Sequence, residues 1–206
     1  DCLYVGAGMQ NNALGKILVE NELGGLEFIC SIPGCVGGLL RTNAGCFGAD
    51  TAAVLQKARV MDGNGKIIEV PAAEFAFGYR SSAFPSDWIV LGVYLKYQKA
   101  SKEQIEAVIR QNAEYRKTHQ PQNVRTAGST FKNPEGYKAW QLIKESGADV
   151  LQIGGARMSP HHCNFLVNDG TATAKDIEDL MEAVTKTVKA HSGVDLVSEI
   201  KIVGNR

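Results

Sequence analysis

The chain has 206 residues, 44% of them apolar and 21% charged, which suits one or two domains with full-sized cores and holds no apolar run long enough to cross a bilayer. Its 22 basic and 22 acidic residues cancel, which removes the broad positive field of a nucleic-acid or anionic-membrane binder. Five cysteines, dispersed as Cys2, Cys30, Cys35, Cys46 and Cys163, favour a reducing compartment over a disulfide framework, so a cytoplasmic location is expected; the oligomeric state stays open.

The opening Asp1-Cys2-Leu3-Tyr4-Val5-Gly6 has neither an initiator Met nor a signal pattern and reads as a start inside a strand of a longer protein. Residues 1–97 hold 14 of the 22 glycines, ten of them before residue 49, a density that marks tight turns. Between them, apolar runs at 3–5, 26–29, 54–61, 66–70 and 88–97 predict short strands, the last with Ile89, Leu91, Val93 and Leu95 at period two. Asp62-Gly63-Asn64-Gly65 predicts a hairpin turn. Ser101 with Gln104 forms a capping-box pattern ahead of a stripe at Ile105, Val108 and Ile109, and the texture turns helical. A shorter helix is expected over 138–146, stopped by Gly147. Thr173 with Asp176 starts another helix, whose apolar stripe at Ile177, Leu180, Met181, Val184 and Val188 runs to Gly193. Strands are expected at 164–168 and 196–203. The expected architecture is α+β, a β-rich unit over 1–98 and an α/β unit over 99–206, with the boundary near Gln98 to Ser101.

Four segments carry polar chemistry. Ser31-Ile32-Pro33-Gly34-Cys35-Val36-Gly37-Gly38 and Asn43-Ala44-Gly45-Cys46-Phe47-Gly48 form one block, in which glycines let backbone approach a planar or anionic ligand; taken alone they are equally structural turns. Phe77-Gly78-Tyr79-Arg80 through Phe84 surrounds one permanent cation with aromatics. Ala127-Gly128-Ser129-Thr130-Phe131-Lys132-Asn133-Pro134 packs a hydroxyl, a cation and an amide into one loop. Ser198-Glu199-Ile200-Lys201-Ile202 alternates apolar and charged residues as a solvated strand would. His161, His162 and Cys163 stand too close in sequence to converge on one ion and have no second ligand pair, so no metal site is expected.

In their order and joint presence these segments, together with Gly6-Ala7-Gly8, Gly154-Gly155-Ala156 and 159–168, resemble the UDP-N-acetylenolpyruvoylglucosamine reductase family over essentially the whole chain. The resemblance implies the C-terminal part of an oxidase-type, PCMH-like FAD-binding domain followed by an α/β substrate-binding domain, whose final strand returns to the active site. Ile32, Pro33, Gly34, Gly38, Asn43, Ala44, Gly45 and Gly48 would line FAD and its diphosphate. NADPH would be the co-substrate and UDP-N-acetylglucosamine enolpyruvate the acceptor, in peptidoglycan synthesis. Arg80 matches the family's electrostatic stabiliser, Ser129 its proton donor and Glu199 the carboxylate beside them. Tyr79, Lys132, Asn133 and His162 would contact the UDP-sugar.

The stretch from Tyr94 to Arg116 has room for one strand and one helix, so the chain resembles the form of the family without an extra substrate loop. Two departures stand out. Asp149 and Val150 follow Gly147-Ala148 where relatives carry a lysine-glycine pair, and relatives carry a further N-terminal part of the flavin domain, with a glycine-rich pyrophosphate turn, ahead of the residues present here. The alternatives are a unit that only grips the UDP-sugar and a different flavin oxidase of the same superfamily.

Overall fold

A computed structural model describes residues 2–204. The chain divides into two compact units, 1–115 and 116–206.

In the first unit, β1 (Cys2–Gly6) is followed by α1 (Leu14–Asn21), β2 (Leu23–Gly24) and α2 (Val36–Thr42). A tight hairpin of β3 (Gly45–Cys46) and β4 (Ala49–Asp50) leads through the single turn α3 (Thr51–Val54) into β5 (Leu55–Met61), β6 (Ile67–Pro71) and β7 (Ile89–Lys96). Then β8 (Gln98–Lys99) pairs back on β2, and α4 (Lys102–His119) begins. The main sheet is antiparallel, in the order β1-β7-β5-β6, with Tyr4 opposite Tyr94 and Ala58 opposite both Val93 and Val70. Alternation along these strands sends Val5, Ala58, Val60, Val70, Val93 and Leu95 into one core, which α1 and α2 close with Leu14, Leu18, Leu39 and Leu40. The Asp62-to-Gly65 turn joins β5 to β6 as the sequence predicts, its Asp62 carboxylate accepting from the Asn64 and Lys66 amides.

Two parts of this unit differ from the periodicity reading. Residues 26–29 are not a strand: Glu27–Ser31 is a 3-10 helix that buries Phe28 and Ile29, a short apolar run being compatible with either state. The glycine block contains the seven-residue helix α2, held by the buried Val36, Leu39 and Leu40 despite Gly37 and Gly38. The predicted capping box at α4 is present, with the Ser101 amide donating to the Gln104 side chain and the Gln104 amide to Ser101 Oγ. Ile105 is buried in the first core and Ile109 packs against it, so the division between units falls inside α4, after Tyr115, whereas the change in composition lies near Gln98 to Ser101. Only Tyr97, β8, Ala100 and Ser101 separate β7 from α4.

The second unit contains α5 (Ala139–Glu145), β9 (Gln152–Ile153), β10 (Ala156–Met158), β11 (Leu166–Asn168) and α6 (Ala174–Ser192). Its antiparallel sheet runs β11-β10-β9, and α6 supplies Leu180, Met181, Val184 and Val188 to a second core with Phe131, Leu142 and Ile143. The predicted Thr173–Asp176 capping box and Gly193 stop bound α6. The strand expected at 196–203 is absent as a regular element. Only Ser198 forms a bridge, to Phe131, because this segment has a partner along a few residues and then becomes exposed, with Ile202 and Val203 facing solvent. No helix among the described residues is long and apolar enough to cross a membrane.

Candidate active site

The glycine block of the first unit is held by side chains that bond its backbone carbonyls. Asn11 holds the turn before α2: its backbone N–H donates to the Gly34 carbonyl at 3.0 Å and its Nδ2 to the Ile32 carbonyl at 3.1 Å. Gly34 takes φ +103°, open to glycine alone, and the space where a Cβ would stand at Gly34, Gly38 or Gly48 contains no protein atom within 4 Å. Pro33, Gly34, Gly38 and Gly48 are exposed, and Ile32, Ala44 and Gly45 are half-buried. Open backbone at Gly34, Gly38 and Gly48 is what a planar cofactor with a diphosphate tail needs to lie close to the chain, so the residues present fit FAD. This glycine ridge does not work through the start of α2, whose first amides are engaged: Val36 donates to Met9, Gly37 to Ala7 and Gly38 to Cys35.

The Asn43 side chain is engaged within the protein. It is buried in the left-handed position that ends α2, and protein groups take up its side chain: Nδ2 donates to Asp50 at 3.1 Å and to the Gly78 carbonyl at 2.9 Å, while Oδ1 accepts the Ala52 amide at 2.9 Å. Its work is to fasten the flavin-type block to the segment that bears Tyr79 and Arg80. Arg80 sits at φ +51°, a conformation sparsely occupied by non-glycine residues, and donates from its guanidinium to the Gly45 carbonyl. Its Cζ lies 5.2 Å from the ring centroid of the exposed Tyr79. Arg41 braces the adjoining residues by donating to the carbonyls of Pro85, Ser86 and Trp88 and stacking on Phe84. The structure therefore brings Asn43, Gly45, Tyr79 and Arg80 together, and the braces Asn11 and Arg41 were not identified from sequence.

In the second unit the loop bearing Ser129 runs into an extended segment bonded on both sides. On one side the Thr130 amide donates to the Asn164 carbonyl at 2.7 Å, and Ser129 forms a bridge with Phe165. On the other, the Glu199 amide donates to the Thr130 carbonyl at 2.8 Å and the Lys132 amide to the Val197 carbonyl at 2.9 Å. Ser129 and Glu199 are thus fixed through one shared residue, Thr130, and both remain half-buried. Lys132 is half-buried on the same segment. Asn133 is exposed, and its Oδ1 accepts the Ala139 amide at 3.0 Å ahead of α5, leaving the other face of the side chain outward.

His162 lies at the turn into the Asn164 segment. The Asn164 amide points at its Nδ1 at 3.3 Å, which makes that nitrogen an acceptor and puts the proton of the neutral ring on Nε2. Burial holds its pKa below the ordinary value, with smaller contributions from His161 and His119. Phe165 packs edge-on at 4.8 Å. The departure at Asp149 is occupied locally: its carboxylate takes the Lys144 ammonium at 2.6 Å, while Val150 stands exposed. Arg80 belongs to the first unit, and Ser129, Lys132, His162 and Glu199 to the second.

Residues 1–71 match the family described as FAD binding domain, and residues 120–203 match the C-terminal domain of UDP-N-acetylenolpyruvoylglucosamine reductase. A UDP-N-acetylenolpyruvoylglucosamine reductase from Paramagnetospirillum magneticum is 44% identical over all of this chain and 67% of its own length. One from Methylorubrum extorquens is 46% identical over 97% of this chain and 64% of its own. The crystal structure of UDP-N-acetylenolpyruvylglucosamine reductase from Thermus caldophilus superposes with a TM-score of 0.86 at 35% identity, covering 97% of this chain and 71% of that one. The chain spans about two thirds of the length of the curated relatives it matches. With both domains matched in order and relatives alike over its whole extent, the chain belongs to the UDP-N-acetylenolpyruvoylglucosamine reductase family.

Proposed function

We propose that the protein to which this chain belongs is an FAD-containing, NADPH-dependent reductase that converts UDP-N-acetylglucosamine enolpyruvate to UDP-N-acetylmuramate in peptidoglycan synthesis. The observation that carries the reading is the tie between Ser129 and Glu199 through Thr130, in a chain whose glycine ridge suits FAD.

When bound, FAD supplies the hydride, taken from NADPH. The acceptor carries a CH2=C(OR)–COO⁻ group. Hydride forms a new C–H bond at the methylene carbon, and the electron pair of the double bond moves toward the neighbouring carbon and its carboxylate. A proton on that second carbon completes CH3–CH(OR)–COO⁻, with NADPH and H⁺ consumed and NADP⁺ released.

Each step makes a demand that a residue here meets. Arg80, a permanent cation on a braced backbone, stabilises the charge gathering at the carboxylate. Ser129 delivers the proton from Oγ to the second carbon. A hydroxyl is a weak acid, and Glu199, fixed beside it through Thr130, orients or polarises the developing intermediate. Tyr79, Lys132, Asn133 and the neutral His162 recognise the UDP-sugar, Lys132 as the phosphate cation. NADPH as reductant and free thiols both suit a cytoplasmic location. The test is NADPH oxidation by the full-length protein with and without UDP-N-acetylglucosamine enolpyruvate: oxidation that depends on this acceptor supports the reading, and oxidation indifferent to it overturns it.

A further inference from the structure

Asn164 has only 5% of its surface exposed, and its side chain acts as a strand partner. The Phe131 amide donates to its Oδ1 at 3.0 Å and its Nδ2 donates back to the Phe131 carbonyl at 2.9 Å, the reciprocal pair that a neighbouring backbone would make. Its own carbonyl takes the Thr130 amide at 2.7 Å. Thr130 Oγ1 adds a fourth bond on this side by accepting the Leu166 amide at 2.9 Å. Thr130 and Phe131 are 0% and 2% exposed, so water cannot stand in for any of these partners. The pair of bonds fixes both position and rotation of the two residues that follow Ser129, and the opposite edge of the same two residues carries Glu199.

We infer that Asn164 is a positioning residue for proton delivery: its amide clamp on Phe131 sets where Ser129 Oγ stands relative to Glu199. This rests on the reading of Ser129 as the proton donor. Without the clamp the segment keeps its chemistry and loses its placement, and a displacement of about 1 Å at a reacting group costs on the order of a hundredfold in rate.

The experiment uses the FAD-loaded full-length enzyme, with each half-reaction followed by stopped flow in Asn164→Asp, Ser129→Ala and the double variant. Asn164→Asp keeps the acceptor for the Phe131 amide and removes the donor to its carbonyl. Substrate reduction should slow by about tenfold to a hundredfold, flavin reduction by NADPH should stay within about twofold, and the Asn164→Asp effect should vanish in the Ser129→Ala background. Equal slowing of both half-reactions, or an undiminished effect in that background, overturns the proposal. Unchanged substrate reduction in Ser129→Ala alone identifies the donor reading as the one that failed, and the proposal falls with it. If Asn164→Asp does not fold, Thr130→Val removes the neighbouring bond to Leu166 that holds the same segment and should give the same pattern at smaller size. Hydrogen exchange provides a readout without turnover: the Thr130 and Phe131 amides should exchange faster in the variant while those of α6 keep their rate, and unchanged exchange at both counts against the clamp.

Discussion

Asn43 donates its side-chain amide to the carbonyl of Gly78, 35 residues away in sequence, at 2.9 Å. That bond, with the Arg80 guanidinium on the Gly45 carbonyl, makes the glycine ridge and the arginine segment one body. Asn43→Ala should therefore lower flavin content and slow substrate reduction together, by freeing the Gly78-to-Ser81 turn. It should also lower thermal stability by about 1–3 kcal/mol, since the Ala52 amide loses its acceptor. Flavin content and thermal melting of the variant check this; normal values for both would contradict it.

Two glycines of the ridge separate fold from ligand. At Gly45 a Cβ would stand 2.4 Å from the Ala49 carbonyl and 2.6 Å from Asp50 Cβ, so Gly45→Ala should damage the β3–β4 hairpin itself and destabilise the protein by about 1–3 kcal/mol. At Gly38 a Cβ meets no protein atom and the residue is helical, so Gly38→Ala should raise the stability of the flavin-free protein by about 0.5–1 kcal/mol. The same change should reduce flavin retention if, as proposed, the space it fills is taken by the cofactor. Paired melting curves and flavin absorbance test the contrast. Full flavin retention in Gly38→Ala would remove Gly38 from the cofactor site.

Ser129→Ala should slow substrate reduction by about a hundredfold to ten-thousandfold and leave flavin reduction by NADPH near its original rate. Arg80→Ala should slow the same step by about a hundredfold to a thousandfold through lost charge stabilisation. Rapid-mixing measurement of the separate half-reactions distinguishes both from a general loss of folding, which would slow the two alike.

His162 provides a pH test. Burial lowers its pKa in the folded protein below the ordinary 6.5 of the unfolded chain. As pH falls through about 6.5 the unfolded state takes up a proton that the folded state resists, so this residue's contribution to stability is present above that pH and is lost below it. His162→Gln should flatten that part of the stability curve between roughly pH 7 and pH 5. Denaturant melts across that range check the sign, and a steeper acid loss in the variant would contradict it.

Strong local periodicity was legible. Strand β7, the Asp62-to-Gly65 turn, both capping boxes and the stripe of α6 follow directly from residue spacing. What escaped depended on tertiary partners. Residues 26–29 became 3-10 helix because a short apolar run has no period of its own, and α2 formed across two glycines because Val36, Leu39 and Leu40 had a core to enter. Residues 196–203 kept strand-like alternation but found a pairing edge only around Ser198. Among site residues, the proposed roles of Arg80, Ser129 and Glu199 come from the family resemblance carried by their segments, and the Asn43 side chain bonds protein groups on both sides. Asn11, Arg41 and Asn164 were missed, since an amide or guanidinium that bonds distant backbone leaves no mark on its own neighbours in sequence.

The Ser129–Thr130–Glu199 arrangement is proposed to serve reduction of an enolpyruvyl UDP-sugar at a flavin. Its most direct test is the absorbance of the full-length protein, its flavin first reduced by NADPH without oxygen and then mixed with UDP-N-acetylglucosamine enolpyruvate. Rapid return of the oxidised flavin spectrum in wild type, slowed by at least about a hundredfold in Ser129→Ala, is the predicted result. Flavin that stays reduced after mixing, or that reoxidises at the same rate in Ser129→Ala, would contradict it.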